Sequence, residues 1–152
     1  FASQYAAWDA LSPGLQKTLE SLRAIHSAAE EYGARGASSK TRASMDSEVG
    51  GDDVPEYEHP VVRTHPETGR KGLYVNPAFT LRFAGWTKKE SRPLLEYLFE
   101  VCRREAFTCR FRWQKGSLAF WDNRCVWHFA LNDYHGQRRH MRRVTVNGDK
   151  VR

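Results

Sequence analysis

Residues 107 to 113 alternate with a period of two. Phe107, Cys109, Phe111 and Trp113 fall on one face, and Thr108, Arg110 and Arg112 on the other. Successive side chains of an extended chain point to opposite faces, so this pattern predicts a strand with one side toward a core. Lys115-Gly116 turns the chain into a second apolar run, Ser117 to Trp121, also expected as a strand. Val144 and Val146 belong to a third alternating run, 139 to 146. Strands this close together, joined by short turns, point to antiparallel sheet.

The rest of the chain supplies helices to lie outside such sheets. Phe1 to Leu11 reads as a short helix with Ser3 as its cap and Tyr5, Trp8 and Leu11 on one face. Ser12-Pro13 restarts helical structure, with Leu15, Leu19 and Leu22 as the apolar stripe. The longest predicted helix runs from Lys88 to about Arg104. Thr87 and Glu90 form its capping box, and Leu94, Leu95, Leu98, Phe99 and Cys102 line its buried side. Arg23 to Ser27 reads as a strand, and its lone His26 as a hydrogen-bonded histidine of the sheet rather than a ligand. Val61-Val62 and Leu73 to Val75 form a hairpin across THPETGRK. Within it His65-Pro66-Glu67 mimics a His-x-Glu metal pair, but Pro66 and Gly69 mark a solvent-facing turn.

The expected fold class is therefore mainly β with flanking helices, in a single domain over 1–152. The segment 33–58 is rich in Gly, Ser and charge, with almost no large apolar residue before Val54. It cannot bury enough surface to offset its ordering entropy, so it reads as a mobile loop or lid.

Composition narrows the function classes. At 40% hydrophobic and 28% charged residues, the chain is neither disordered nor membrane-spanning in character. Cys102, Cys109 and Cys125 make an odd count without a C-x-x-C pair. That excludes a zinc ribbon or a complete disulfide framework, and suits buried, reduced thiols in a cytoplasmic protein. The net charge is +6, and four of the 24 basic residues are Arg138, Arg139, Arg142 and Arg143, within six positions. Such a cluster favours anionic partners.

The chemistry concentrates between the last two apolar runs. His128 can offer a neutral imidazole nitrogen to a metal. Arg139, eleven positions later, can hold a carboxylate through two parallel hydrogen bonds. On a strand of period two, Arg139, Arg143 and Thr145 would share the inward face, with Arg138 and Arg142 outward.

These residues sit in the string WDNR, then His128, then N-x-D-Y, then QRRHMRR. The string resembles the C-terminal signature of the TauD/TfdA family of Fe(II)- and 2-oxoglutarate-dependent dioxygenases. The likeness continues upstream through HPVVRTHPETGRKGLYVNPAF and FASQYAAWDALS. It implies a double-stranded β-helix core of jelly-roll, cupin-like type, incomplete on its N-terminal side. It implies His128 as the distal iron ligand, Arg139 as the anchor for the far carboxylate of 2-oxoglutarate, and Arg143 for the substrate's anionic group. By the same resemblance Phe79 contacts substrate and Tyr32 is an aromatic lid residue over it. The family's His-x-Asp or His-x-Glu iron pair falls upstream of Phe1, leaving one of three ligands here.

The reaction implied is hydroxylation of a small anionic substrate by O2, with release of succinate and CO2. A sulfonate such as taurine, an alkyl sulfate and an aryloxyalkanoate all satisfy Arg143. Members of the family often associate, so a homo-oligomer is compatible. Two rival readings are an inactive structural fragment and a basic nucleic-acid-binding module. For the second, QRRHMRR would meet phosphates while Trp127, Phe129 and Tyr134 stack on bases.

Overall fold

The structure is a computed structural model that describes residues 1–32, 54–131, 133–148 and 151, without the side chains of residues 31 and 32. Its first half follows the local signals closely. β1 (Ala2–Ser3) leads into α1 (Gln4–Asp9), where the Ser3 hydroxyl accepts from the Ala6 N–H at 3.3 Å. Ser12 caps α2 (Pro13–Glu20), with proline in the first turn. β2 (Arg23–Ser27) and α3 (Ala29–Tyr32) follow.

After the segment outside the description come β3 (Glu56–Pro60), β4 (Val62–Thr64), β5 (Lys71–Leu73) and β6 (Thr80–Phe83). α4 (Lys88–Cys102) carries the full capping box, Thr87 and Glu90 satisfying each other's backbone N–H. A 3-10 turn (Glu105–Phe107) and β7 (Val126–Trp127) complete the elements.

Among the described residues the strands make three antiparallel sheets: β1-β7, β3-β2-β6 and β4-β5. One core holds them together. Trp8 of α1 and Leu11 beyond its end, Leu19 of α2, Ala24 of β2, Val61, Leu73 and Val75 of the hairpin, Phe83 of β6, and Leu95, Leu98, Val101 and Cys102 of α4 pack in a single cluster. Burial pushes the Cys102 thiol up to about 12, so it stays protonated and inert. No helix among the described residues is long and apolar enough to cross a membrane.

Several expectations need correction. Residues 33–53 of the expected loop lie outside the described residues, but its end does not: Glu56 to Glu58 pair in β3 with Ile25 to Ser27. The alternation of Tyr57 and His59 with glutamates is masked by charge, and the neighbouring strand overrides it. The thiols are free, yet Cys109 is exposed and Cys125 half-buried, so only Cys102 fits the buried description.

The runs 107–113, 117–121 and 139–146 form no strands. Thr108 alone bridges to Ala2. Phe107 packs against the core, but other apolar side chains of these runs stand in solvent: Leu118 is 87% exposed, Phe120 92%, Val144 91% and Val146 80%. A strand is stabilised by a ladder partner and a covered face; 107–113 has only the short contact of Thr108 and Cys109 with Ala2 and Phe1, and 117–121 and 139–146 have no ladder partner among the described residues.

One consequence of the packing concerns acid. His26 lies against His59 (ring centroids 5.2 Å apart) and Tyr74 (5.9 Å), its Nδ1 3.4 Å from the Thr80 hydroxyl. Its Nε2 is buried without a partner among the described residues. Burial, then the neighbouring His59, bring its pKa down to about 4. The folded pKa lies below the ordinary 6.5, so the unfolded chain takes up the proton first. The stabilisation is complete above pH 6.5 and is lost as pH falls toward 4. We expect about 2 kcal/mol of lost stability over that window, allowing for solvent screening of the partly exposed ring. Urea midpoints at the two ends of the window, compared with His26→Gln, measure it; equal losses in both proteins would refute the assignment.

Candidate metal and anion site

The site is built around the segment that leads into and out of β7. Ala2 pairs with Trp127 and Ser3 with Val126, and the Gln4 N–H donates to the Cys125 carbonyl at 2.9 Å. His128 follows directly. Its ring lies 4.9 Å from that of Trp121, and Trp121 in turn lies 5.0 Å from Phe1. The residue is exposed overall, with its ring partly shielded on the Trp121 side. Burial, and next the positive charge of Arg143, lower its pKa below the usual histidine value. Both effects favour the neutral ring, the form whose lone pair a metal needs.

The arginines are arranged less tightly. Arg139 and Arg143 are exposed. The Arg139 guanidinium rests 5.4 Å from the centre of the Tyr134 ring, a cation–π contact. Because 139–146 is not a strand, the expected inward and outward faces do not exist there; Arg138, Arg139, Arg142 and Arg143 are all exposed. Only Arg143 is brought close enough to His128 for its charge to be felt.

Phe79 is half-buried in the turn before β6, its N–H donating to the Asn76 carbonyl (3.1 Å) and its carbonyl accepting from Ser27 (2.9 Å). Tyr32 closes α3, and its side chain lies outside the described residues. The structure thus brings the Arg143 charge within reach of His128.

The residues that sequence reasoning missed are His65 and Asp122. His65 does not face solvent: it is 5% exposed. The His65 and Asp122 side chains meet at 3.0 Å, Nε2 to Oδ2. His65, Asp122 and Cys125 form a group whose ligand atoms lie within 4.8 Å of one another. That geometry alone would admit a metal. The hydrogen bonds argue otherwise. His65 Nδ1 accepts from the Glu67 and Thr68 N–H groups, each at 3.3 Å, which leaves the proton on Nε2 to be donated to Asp122.

Asp122 is also held by Arg124, whose Nε and Nη2 donate to it at 3.0 and 2.7 Å. Those bonds, and the one from His65, keep its carboxyl well below the usual carboxylate range. The chemistry of this donor set is that of a closed hydrogen-bonded clamp.

Fit to an iron centre can then be judged on donors. A facial site for Fe(II) takes two histidines and a carboxylate. His128 supplies one suitable nitrogen, and His65 has no lone pair to spare.

Comparison with known proteins bears on the same segment. The family model for "Taurine catabolism dioxygenase TauD, TfdA family" matches residues 1–145. An alpha-ketoglutarate-dependent dioxygenase of Penicillium expansum is 37% identical over 151 residues, covering 98% of this chain and 39% of the relative. The alpha-ketoglutarate-dependent 2,4-dichlorophenoxyacetate dioxygenase of Cupriavidus pinatubonensis is 36% identical over 151 residues, covering 99% of this chain and 50% of the relative. The crystal structure of a taurine dioxygenase from Burkholderia xenovorans superimposes with a TM-score of 0.64 at 37% identity, over 82% of this chain and 36% of that one. The chain therefore spans half or less of the length of these proteins.

Proposed function

The chain belongs to the taurine catabolism dioxygenase TauD, TfdA family, and from that premise we propose that it forms the C-terminal part of an Fe(II)- and 2-oxoglutarate-dependent dioxygenase. The observation that carries the reading is His128: an imidazole set against the Trp121 ring and favoured in its neutral form, with the Arg143 charge beside it. His128 would hold the iron as one of its three protein ligands. The other two are expected outside residues 1–152. When bound, the metal and co-substrate supply the oxidising chemistry, with O2 as oxidant and succinate and CO2 as products. The chain's own residues bind and orient. Arg139 would anchor the far carboxylate of 2-oxoglutarate, and Arg143 the anionic group of the substrate. Phe79 and Tyr32 would line the substrate's apolar part.

The substrate class is a small organic anion: a sulfonate such as taurine, an alkyl sulfate or an aryloxyalkanoate. The taurine and 2,4-dichlorophenoxyacetate enzymes among the relatives support this range. The exposed Leu118, Phe120, Val144 and Val146 support the view that the jelly-roll is completed by further strands. By itself the 152-residue chain is expected to turn over no 2-oxoglutarate; iron-dependent succinate formation by the isolated chain would overturn that.

In the full-length protein, Arg139→Gln should raise the 2-oxoglutarate concentration needed for half-saturation by roughly 30-fold, as for loss of a charge pair worth about 2 kcal/mol. Arg143→Gln should instead weaken binding of the anionic substrate and leave 2-oxoglutarate nearly unaffected. Steady-state titration of each ligand separates the two. If either variant shifted both ligands equally, the division of roles would fall.

A further inference from the structure

Each residue of the WDNR string has a partner, and together the partners tie His128 to a distant hairpin. Trp121 stacks obliquely between Phe1 and His128, and its indole N–H donates to Asn123 Oδ1 at 2.8 Å. Asp122 accepts from His65, 57 residues away. The Arg124 N–H donates to Asp122 Oδ1 at 2.8 Å, and its guanidinium joins Asp122 to Glu67 (Nη1 to Oε1, 3.1 Å). His65 and Glu67 both belong to the β4–β5 turn.

That turn is rigid for stated reasons. The His65 N–H donates to the Arg70 carbonyl at 2.8 Å, and the His65 carbonyl accepts from Gly69 at 2.9 Å. Gly69 has φ +69, a conformation that glycine adopts without strain. Two backbone amides fix the His65 ring by its Nδ1. The far side of the hairpin is seated on α1: a Cβ on Gly72 would come within 3.2 Å of the Tyr5 ring.

We infer that His65 is a positioning residue that acts through Asp122 to set the place of His128. Among the described residues the stretch from Asp122 to His128 is also held by the Gln4–Cys125 bond, the Cys125 N–H on the Asp122 carbonyl (3.3 Å), the two β1–β7 pairs and the Phe99–Trp127 ring contact. Without the clamp the turn at 122–125 loses its tie to the β4–β5 hairpin, and the adjoining Trp121, whose ring lies against His128, loses its place with it. The inference rests on the reading of His128 as an iron ligand for its importance. It does not rest on that reading for its truth.

The test needs neither iron nor 2-oxoglutarate, so it can fail independently of the dioxygenase reading. In the 152-residue chain labelled at histidine, the His128 ring signals are displaced by the Trp121 ring current, and His128→Gln identifies them. His65→Leu should return those signals to the position of a solvent histidine. His65→Gln, whose amide restores a donor toward Asp122, should bring the displacement back. The amide signals of β2 and β3 should stay in place throughout, which a general loss of stability would not permit. If His65→Leu fails to fold, Asp122→Ala decides, since it leaves His65 packed while removing the acceptor. An undisturbed His128 signal in that variant, or in His65→Leu, overturns the inference. Failure of Gln to restore what Leu removes overturns it as well.

Discussion

On the proposed function, replacing His128 with alanine is expected to abolish Fe(II)-dependent turnover of 2-oxoglutarate in the full-length protein, by more than about 100-fold. Mutating groups that merely orient a metal ligand already costs roughly 10- to 100-fold, and His128 is proposed as a ligand itself. The competing explanation would be unfolding. It is weak here, because His128 is exposed and touches Trp121 rather than the core cluster around Leu19, Phe83 and Leu98. A change of below about 1 kcal/mol in stability is expected from truncating such a residue. Succinate formation and the urea midpoint, measured on the same preparation, separate the two effects. Turnover that survives in His128→Ala would remove His128 from the site, whatever the family.

Phe83→Ala is the largest stability effect we expect, a loss of about 3 to 5 kcal/mol. Phe83 is fully buried, pairs through β6 with Ala24 of β2, and meets the Trp86 ring edge-on at 5.2 Å. Its N–H also donates to the Ser91 hydroxyl at 3.0 Å, which ties the sheet to α4. Alanine keeps that backbone bond, so the loss measures the ring and the cavity it leaves. Set against a total stability of about 5 to 15 kcal/mol for an ordinary domain, this approaches the limit of folding. Denaturant unfolding followed by tryptophan fluorescence gives the number. A loss below about 1 kcal/mol would mean that the cluster is not a cooperative core.

The local elements were legible because their causes are local. Ser3, Ser12 and Thr87 cap the helices they precede, through bonds to N–H groups within three residues. The stripe of α4 is buried at Leu95, Leu98 and Cys102, where a period of 3.6 puts it. The THPETGRK turn forms the expected hairpin, although its strands are shifted to 62–64 and 71–73. The candidate site was legible only in part. Its composition could be read, but whether His128 and Arg139 share a cavity could not.

What misled the reading was non-local. The period-two runs from Phe107 on are real in sequence, yet they form no strands among the described residues, because alternation states which side of a strand is apolar and nothing about whether a partner exists. His65 looked like a turn residue by its neighbours Pro66 and Gly69, and it is one. It is also buried and bonded to Asp122, 57 positions on, a distance at which no periodic signal survives.

The sequence by itself determined the helix caps, the hairpin, the core stripes and the chemical types gathered near His128, since each depends on residues within a few positions of one another. Tertiary structure alone decided which strands found partners, which histidine was committed to a carboxylate, and which carboxylate would clamp the segment leading to His128. Those outcomes turn on hydrogen bonds and burial between parts of the chain brought together only by folding.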